Sequence, residues 1–219
     1  MAVRYKGFRL PLIVRKGGKF HNLTMVRAGK RVVIADHVEL FLNPINRNKP
    51  ASLVLGDYVS IGRYTIIGCS NQITIEDNVT IAPHVHLTDR NHEYKDINTP
   101  ICNQPADSPG PILIKSDSWI GFGAQIMPGV TIGKHCVIAA GSVVTKDIPD
   151  YSIAAGIPSK VVKQYNFKDG KWDKPCRPIS IDTIDNGISG GGKLLIYSNV
   201  ISLYFTVRQE VYQTTKNVA

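Results

Sequence analysis

The 219-residue chain is 43% hydrophobic and 20% charged, with 19 glycines and 13 prolines, which suits one sizeable core with many turns and excludes a disordered polymer. Its net charge of +9 is uneven: residues 1–50 hold 11 Lys/Arg against 2 Asp/Glu, residues 51–163 hold 8 against 10, and residues 164–219 hold 7 against 5. A basic excess confined to one end argues for a local patch and against a nucleic-acid surface, and the four dispersed cysteines (Cys69, Cys102, Cys136, Cys176) signal neither a zinc knuckle nor a disulfide framework but a reducing compartment, the cytoplasm.

The first twenty residues, MAVRYKGFRLPLIVRKGGKF, are broken by charges every few positions, so no secretory leader is expected. Arg4, Lys6, Arg9, Arg15, Lys16 and Lys19 flank Phe8, Leu10, Leu12, Ile13 and Val14. That pattern suits either a cap on the fold that follows or peripheral contact with an anionic membrane, at its cytoplasmic face. A first structural unit is expected near residue 32, on Ile34, Val38 and Leu40.

From there a period of six dominates. Aliphatic residues recur at Leu55, Ile61 and Ile67, at Ile75, Ile81 and Leu87, and in strict register at Ile114, Ile120, Ile126, Ile132, Ile138 and Val144. Four residues after most of them stands a small or β-branched residue: Val59, Thr65, Val79, Val85, Ser118, Ala124, Val130, Cys136, Ser142. Neither helical spacing nor simple alternation gives this pattern. Each hexad reads as one short strand and one turn, and three hexads as one coil of a triangular solenoid. The aliphatic residue points inward, the small one fits the corner, and coils stack about 4.8 Å apart. Glycine or Asn/Asp is expected at the turns for its conformational freedom. The fold class is all-β, a parallel β-helix built as a triangular prism of hexapeptide repeats.

The register breaks twice. Eight residues separate Ile67 from Ile75, predicting a bulge at Gly68–Gln72. A longer excursion, residues 88–111, has no hexad and four prolines; loops on a rigid scaffold are where chemistry concentrates. Beyond residue 163 the hexads stop. Turn signals at Phe167–Gly170 and Gly190–Gly192 precede the β-prone LLIYSNVISLYFTV, which predicts some strand. The expected organisation is a basic N-terminal segment with a first coil (1–50), the β-helix domain (51–163, with loop 88–111) and a C-terminal extension (164–219).

The run WIGFGAQIMPGVTIGKHCVIAAGSVVTKDIPDYSIAAGIPSKVVK, residues 119–163, resembles the C-terminal coils of hexapeptide-repeat acetyltransferases, in particular galactoside/maltose and surface-polysaccharide O-acetyltransferases. IAPHVHLTDRNHEYKDINTPI, residues 81–101, is similar to the catalytic loop of the second group. The resemblance implies a left-handed β-helix, a homotrimer with active sites between subunits, acetyl-CoA as acyl donor and a saccharide acceptor, with no metal and no nucleic-acid partner. Gly62 and Ser70 stand where galactoside/maltose enzymes carry sugar-contacting polar residues, so a polysaccharide or its precursor fits better than a free disaccharide.

Transfer from a thioester to a hydroxyl needs a base, oxyanion donors and a coenzyme groove. By the resemblance, His92 is the general base, an imidazole whose pKa suits the task. Asp89, three residues earlier, either orients it or caps the loop. Asn91, Tyr94 and His84 are acceptor-side candidates; His84 and His86 are expected to face outward. Matching assigns Trp119, Phe122, Ala140, Thr145, Lys146, Lys160 and Lys163 to the coenzyme: Trp119 beside the thioester, the lysines for phosphates, where lysine supplies charge without arginine's bidentate fork. The alternatives are an N-acetyltransferase acting on an amino sugar, a zinc lyase of the γ-carbonic-anhydrase type using His84, His86 and His92, and a non-enzymatic solenoid module.

Overall fold

The computed structural model describes residues 13–46, 48 and 50–175. By contacts the chain divides into Met1–Lys174 and Pro175–Ala219. The basic residues Arg4, Lys6 and Arg9 and the stretch LLIYSNVISLYFTV lie outside the described residues.

The described residues wind through six coils. The first holds β1 (Ile13–Val14), β2 (Lys19–His21) and β3 (Val26–Ala28), and the second β4 (Val33–Ile34), β5 (Glu39–Leu42) and β6 (Ser52–Leu55). The third holds β7 (Ser60–Ile61), β8 (Ile66–Cys69) and β9 (Gln72–Ile75). The fourth runs β10 (Thr80–Ile81), β11 (His86–Thr88), an excursion with β12 (Asn91–His92) and β13 (Ala106–Asp107), then β14 (Ile112–Ile114). The fifth holds β15 (Trp119–Ile120), β16 (Gln125–Ile126) and β17 (Thr131–Ile132). The sixth holds β18 (Val137–Ile138), β19 (Val143–Val144) and a lone bridge from Ile148 to Ile132. A closing meander follows: β20 (Ser152–Gly156), β21 (Ser159–Asn166) and β22 (Lys171–Asp173).

Strands of two to four residues cannot stand alone, so each strand of the coils pairs in parallel with its counterpart one coil away, while β12–β13 and the closing β20–β21–β22 pair antiparallel. Three sheets result: the first ordered β1-β4-β7-β10-β15-β18-β20-β21-β22, the second β2-β5-β8-β11-β16-β19, the third β3-β6-β9-β14-β17. The hexad residues are the register partners, Ile61, Ile81, Ile120 and Ile138 in the first sheet and Ile67, Leu87, Ile126 and Val144 in the second. All are buried, as are the corner residues Val59, Thr65, Val79, Val85, Ser118, Ala124, Val130, Cys136 and Ser142.

Three features differ from the sequence reading. The prism begins at β1, a coil before the Ile34 unit: Val14 and Val26 are buried and Phe20 packs half-buried against them. That coil keeps the spacing of six, but its middle position is aromatic. Val14 is therefore core, not part of an exposed apolar cluster, and Lys19 Nζ sits 2.9 Å from Glu39. Second, the glycines after the aliphatic residues are there for proximity rather than for backbone freedom. A Cβ on Gly62 would lie 2.5 Å from the Ala82 carbonyl carbon, and one on Gly121 2.6 Å from Ile138 O. Third, the left-handed corner conformation falls largely to bulky residues, including His37 (φ 58°), Tyr64 (58°) and His84 (60°).

That conformation costs about 1–2 kcal/mol per non-glycine residue, and at this corner stacking offsets it. His37, Tyr64, His84 and Phe122 form a ladder with ring centroids 4.9, 5.0 and 5.2 Å apart. A second aromatic group closes the C-terminal end. His135 stacks on Trp172 at 6.5 Å, and Tyr165 meets Trp172 at 5.4 Å and Phe167 at 5.0 Å. β21 crosses the expected boundary at residue 163, so the first part of the extension is the lid of the prism. Trp172→Ala, which removes two ring pairs, is expected to lower unfolding stability by about 1–3 kcal/mol, measured by denaturant titration.

Candidate functional site

The excursion carrying His92 leaves the prism at the corner between the second and third sheets. Asn91 and His92 pair antiparallel with Asp107 and Ala106. Gln104 clamps the loop, its amide nitrogen donating to Asp96 O at 2.8 Å and Thr99 O at 2.7 Å. His92, Asn91 and Tyr94 are all exposed, and no described residue hydrogen-bonds the His92 ring.

Asp89 does not orient His92. It is fully buried, and its carboxylate accepts backbone N–H groups from Ser70 (2.7 Å), Asn71 (2.8 Å) and Gln72 (2.7 Å). Those amides belong to the predicted irregularity after Ile67, which is the two-residue turn Ser70–Asn71 between β8 and β9. The extra residues leave donors with no partner in the ladder, and one buried carboxylate satisfies them. Burial and the Asp89 charge push the Cys69 thiol up to about 12. Asp89→Ala is expected to cost on the order of 3 kcal/mol or more, because it strands buried donors; thermal unfolding measures it. Native-state iodoacetamide labelling is expected to modify exposed Cys102 and spare buried Cys69 and Cys136, read by peptide mass spectrometry.

The coenzyme candidates divide between two edges. Trp119 lies outward on the first sheet, 52% exposed. In register above it come Val137, Ile153 and Lys163, so Lys163 stands three strand spacings away, about 14 Å. Beside this row runs a row of small residues, among them Ala82, Gly121, Ala139 and Ala155, with Lys160 paired to Ala155. Phe122 and Ala140 sit at the adjoining corner, where Gly141 N–H donates to Phe122 O at 2.8 Å. Trp119, Phe122, Ala140, Lys160 and Lys163 thus share one ridge, with the row of small residues along it and the two lysines at its C-terminal end. Thr145 and Lys146 do not join them. They follow β19 at the second–third corner, the edge that also carries the His92 excursion, and the next residue, Asp147, caps Thr131 N–H at 2.7 Å.

His84 is exposed, as expected, and its ring stacks on Tyr64 and meets Phe122 at a tilt of 54°. His86 projects from the second sheet, half-buried, and burial holds its pKa below the usual histidine value. Among the described residues no group of three or more His, Cys, Asp or Glu could hold a metal ion. Two cavities escaped the sequence reading. One, of about 240 Å³, is bounded by Ile45, Asn46, the Ser70–Asn71 turn and Asp107. The other, of about 310 Å³, lies on the first sheet between Arg15, Asp36, Ser60 and Arg63. Hexad spacing says nothing of outward positions, so no signal in the sequence marks either.

The profile of the bacterial transferase hexapeptide (six repeats) matches residues 111–146. Residues 111–146 of this chain thus carry the hexapeptide-repeat transferase signature. Among its curated relatives, a probable acetyltransferase of Mycobacterium tuberculosis is 38% identical over 151 residues, 68% of this chain and 48% of its own length. The galactoside O-acetyltransferase of Escherichia coli is 43% identical over 97 residues, 44% of this chain and 46% of its own. The chain thus spans about half the length of these curated relatives. Among solved structures, a mutant of AntD, an N-acyltransferase from Bacillus cereus, in complex with dTDP and coenzyme A, superposes with a TM-score of 0.61 at 21% identity, covering 72% of this chain and 83% of that one. The hexapeptide-repeat fold here is the left-handed parallel β-helix.

Proposed function

We propose that this protein is an acetyl-CoA-dependent O-acetyltransferase that modifies a hydroxyl of a surface polysaccharide or its precursor, at a site shared between chains of a homotrimer. The observation that carries this reading is the separation of the candidate residues. His92, Thr145 and Lys146 occupy one edge of the prism; Trp119, Phe122, Ala140, Lys160 and Lys163 occupy another. One chain does not bring base and coenzyme ridge together, whereas the edge of one copy set against the ridge of the next would. The galactoside O-acetyltransferase and a candidate lipopolysaccharide biosynthesis O-acetyl transferase of Escherichia coli, 31% identical over 128 residues, support hydroxyl transfer.

In this mechanism His92 takes the proton of the attacking hydroxyl as its oxygen bonds to the thioester carbon. The C–S bond then breaks, and the departing thiolate receives that proton. The ridge holds the donor extended, with its acyl end at Trp119 and its phosphates towards Lys160 and Lys163. N-acylation of an amino sugar is the second reading, because solved structures of similar fold include AntD with dTDP-4-amino-4,6-dideoxyglucose and coenzyme A. The reading places the protein in the cytoplasm. The exposed Arg15 and Lys16 would favour an anionic membrane surface where acceptors are assembled.

The test is thiol release from acetyl-CoA across surface glycans, lipid-linked precursors and amino sugars. His92→Ala is expected to reduce turnover by about 10² to 10⁴ while coenzyme binding persists. Mixing His92→Ala chains with Trp119→Ala chains under subunit exchange is expected to restore up to about a quarter of the activity, because only a site shared between chains can combine the two intact residues. No restoration would overturn the shared site, and full turnover by His92→Ala would overturn the base.

A further inference from the structure

The donor ridge is directional, and that direction assigns the cavity beside it. From Trp119 the candidate coenzyme residues run only towards the C-terminal end, through Ala140 to Lys160 and Lys163. In the opposite direction the same outward row continues from Trp119 to Thr80 and Ser60. Ser60, two strand spacings or about 10 Å from Trp119, lines the cavity of about 310 Å³ on the first three coils.

The chemistry of this cavity is cationic. Arg15 and Arg63 both line it, and no described residue forms an ion pair or hydrogen bond with either guanidinium. Asp36, the carboxylate at the rim, accepts the Lys16 N–H through Oδ1 at 3.0 Å, leaving two cations against one partly engaged anion. The row between the arginines is small. Arg15 N–H donates to Ile34 O and Ala35 N–H to Ile61 O, so Ala35 and Gly62 follow Arg15 in successive coils and put no bulk between the two guanidinium groups. The corner carrying Arg63 is fixed by the Tyr64–His84 stack and by His84 N–H donating to Arg63 O at 2.9 Å. Two guanidinium groups on one side of the prism, with no described carboxylate paired to either, suit a carboxylate or phosphate, which accept paired hydrogen bonds.

We infer that the Arg15–Arg63 cavity binds an oxyanion carried by the acceptor, so the saccharide acetylated here is an anionic one, bearing a carboxylate or linked through a phosphate. The inference rests on the proposed acetyl transfer for its name of acceptor, while the anion site stands on the cavity itself.

Calorimetric titration of the full-length protein tests it, with three probes: an oligosaccharide containing glucuronic acid, its glucose counterpart of the same linkage and length, and glucose 1-phosphate. At least one charged probe is expected to bind about tenfold more tightly than the neutral one, the effect of one charge-assisted contact; which charged probe wins identifies the source of the oxyanion. Arg15→Gln with Arg63→Gln is expected to abolish the preference while coenzyme A binding and the melting temperature stay unchanged, and Arg63→Lys is expected to restore part of it. Equal affinity for charged and neutral probes, or a preference that survives the double substitution, overturns the site. If the preference holds but no acceptor is acetylated, the anion site stands and the transferase reading fails. If acetylation proceeds indifferent to acceptor charge, the reverse is true.

Discussion

Each short strand in this protein is completed by the strand one coil above and one coil below, and nearly every other feature depends on that stacking. A pair of residues such as Ser60–Ile61 makes too few hydrogen bonds to persist alone, but Ile61 stands in register with Ile34 on one side and Ile81 on the other. The inward aliphatic residues then pack as continuous rows. The close approach of successive coils explains the glycines at positions 56, 62, 121 and 133, where a Cβ would run into the backbone of the neighbouring coil. It also brings corner residues to ring-stacking distance, so bulky aromatics occupy left-handed conformations that they resist in isolation.

A rigid prism with three edges separates chemistry that is adjacent in sequence. His92 and Trp119 are 27 positions apart, yet one belongs to an excursion at the second–third corner and the other to the outer row of the first sheet. The separation follows from the winding itself, because each hexad turns the chain onto a new face. Residues about 18 apart without interruption return to the same face, as Trp119 and Val137 do. The excursion between β11 and β14 changes the residue count without changing the winding, so it can present a long polar loop without disturbing the core.

Asp89 illustrates how the scaffold and the loop are joined. Its position three residues before His92 suggests a catalytic partner, but its carboxylate is directed inward to the Ser70–Asn71 turn. The two irregularities in the hexad register are therefore one structural unit: the turn in the third coil supplies backbone N–H donors, and the start of the excursion in the fourth coil supplies the carboxylate that accepts them. Asp89 thereby ties the base of the His92 loop to the prism, and the antiparallel pair and Gln104 brace the part beyond it.

The sequence alone determined the coil architecture, the inward rows and their corner residues, because burial demands apolar groups at a fixed period and the chain repeats it from Leu55 to Val144 with only two breaks. It also pointed to His92 and to the Trp119–Lys163 run through resemblance to a family. Outward positions face no such periodic demand. Only the tertiary structure could show that Lys163 stands in line with Trp119, that Lys146 does not, that Asp89 is a buried anchor, and that Arg15 and Arg63 share a cavity though 48 positions apart. Those relations come from coil-to-coil register, which depends on where the irregular turns insert extra residues and how each insertion is absorbed.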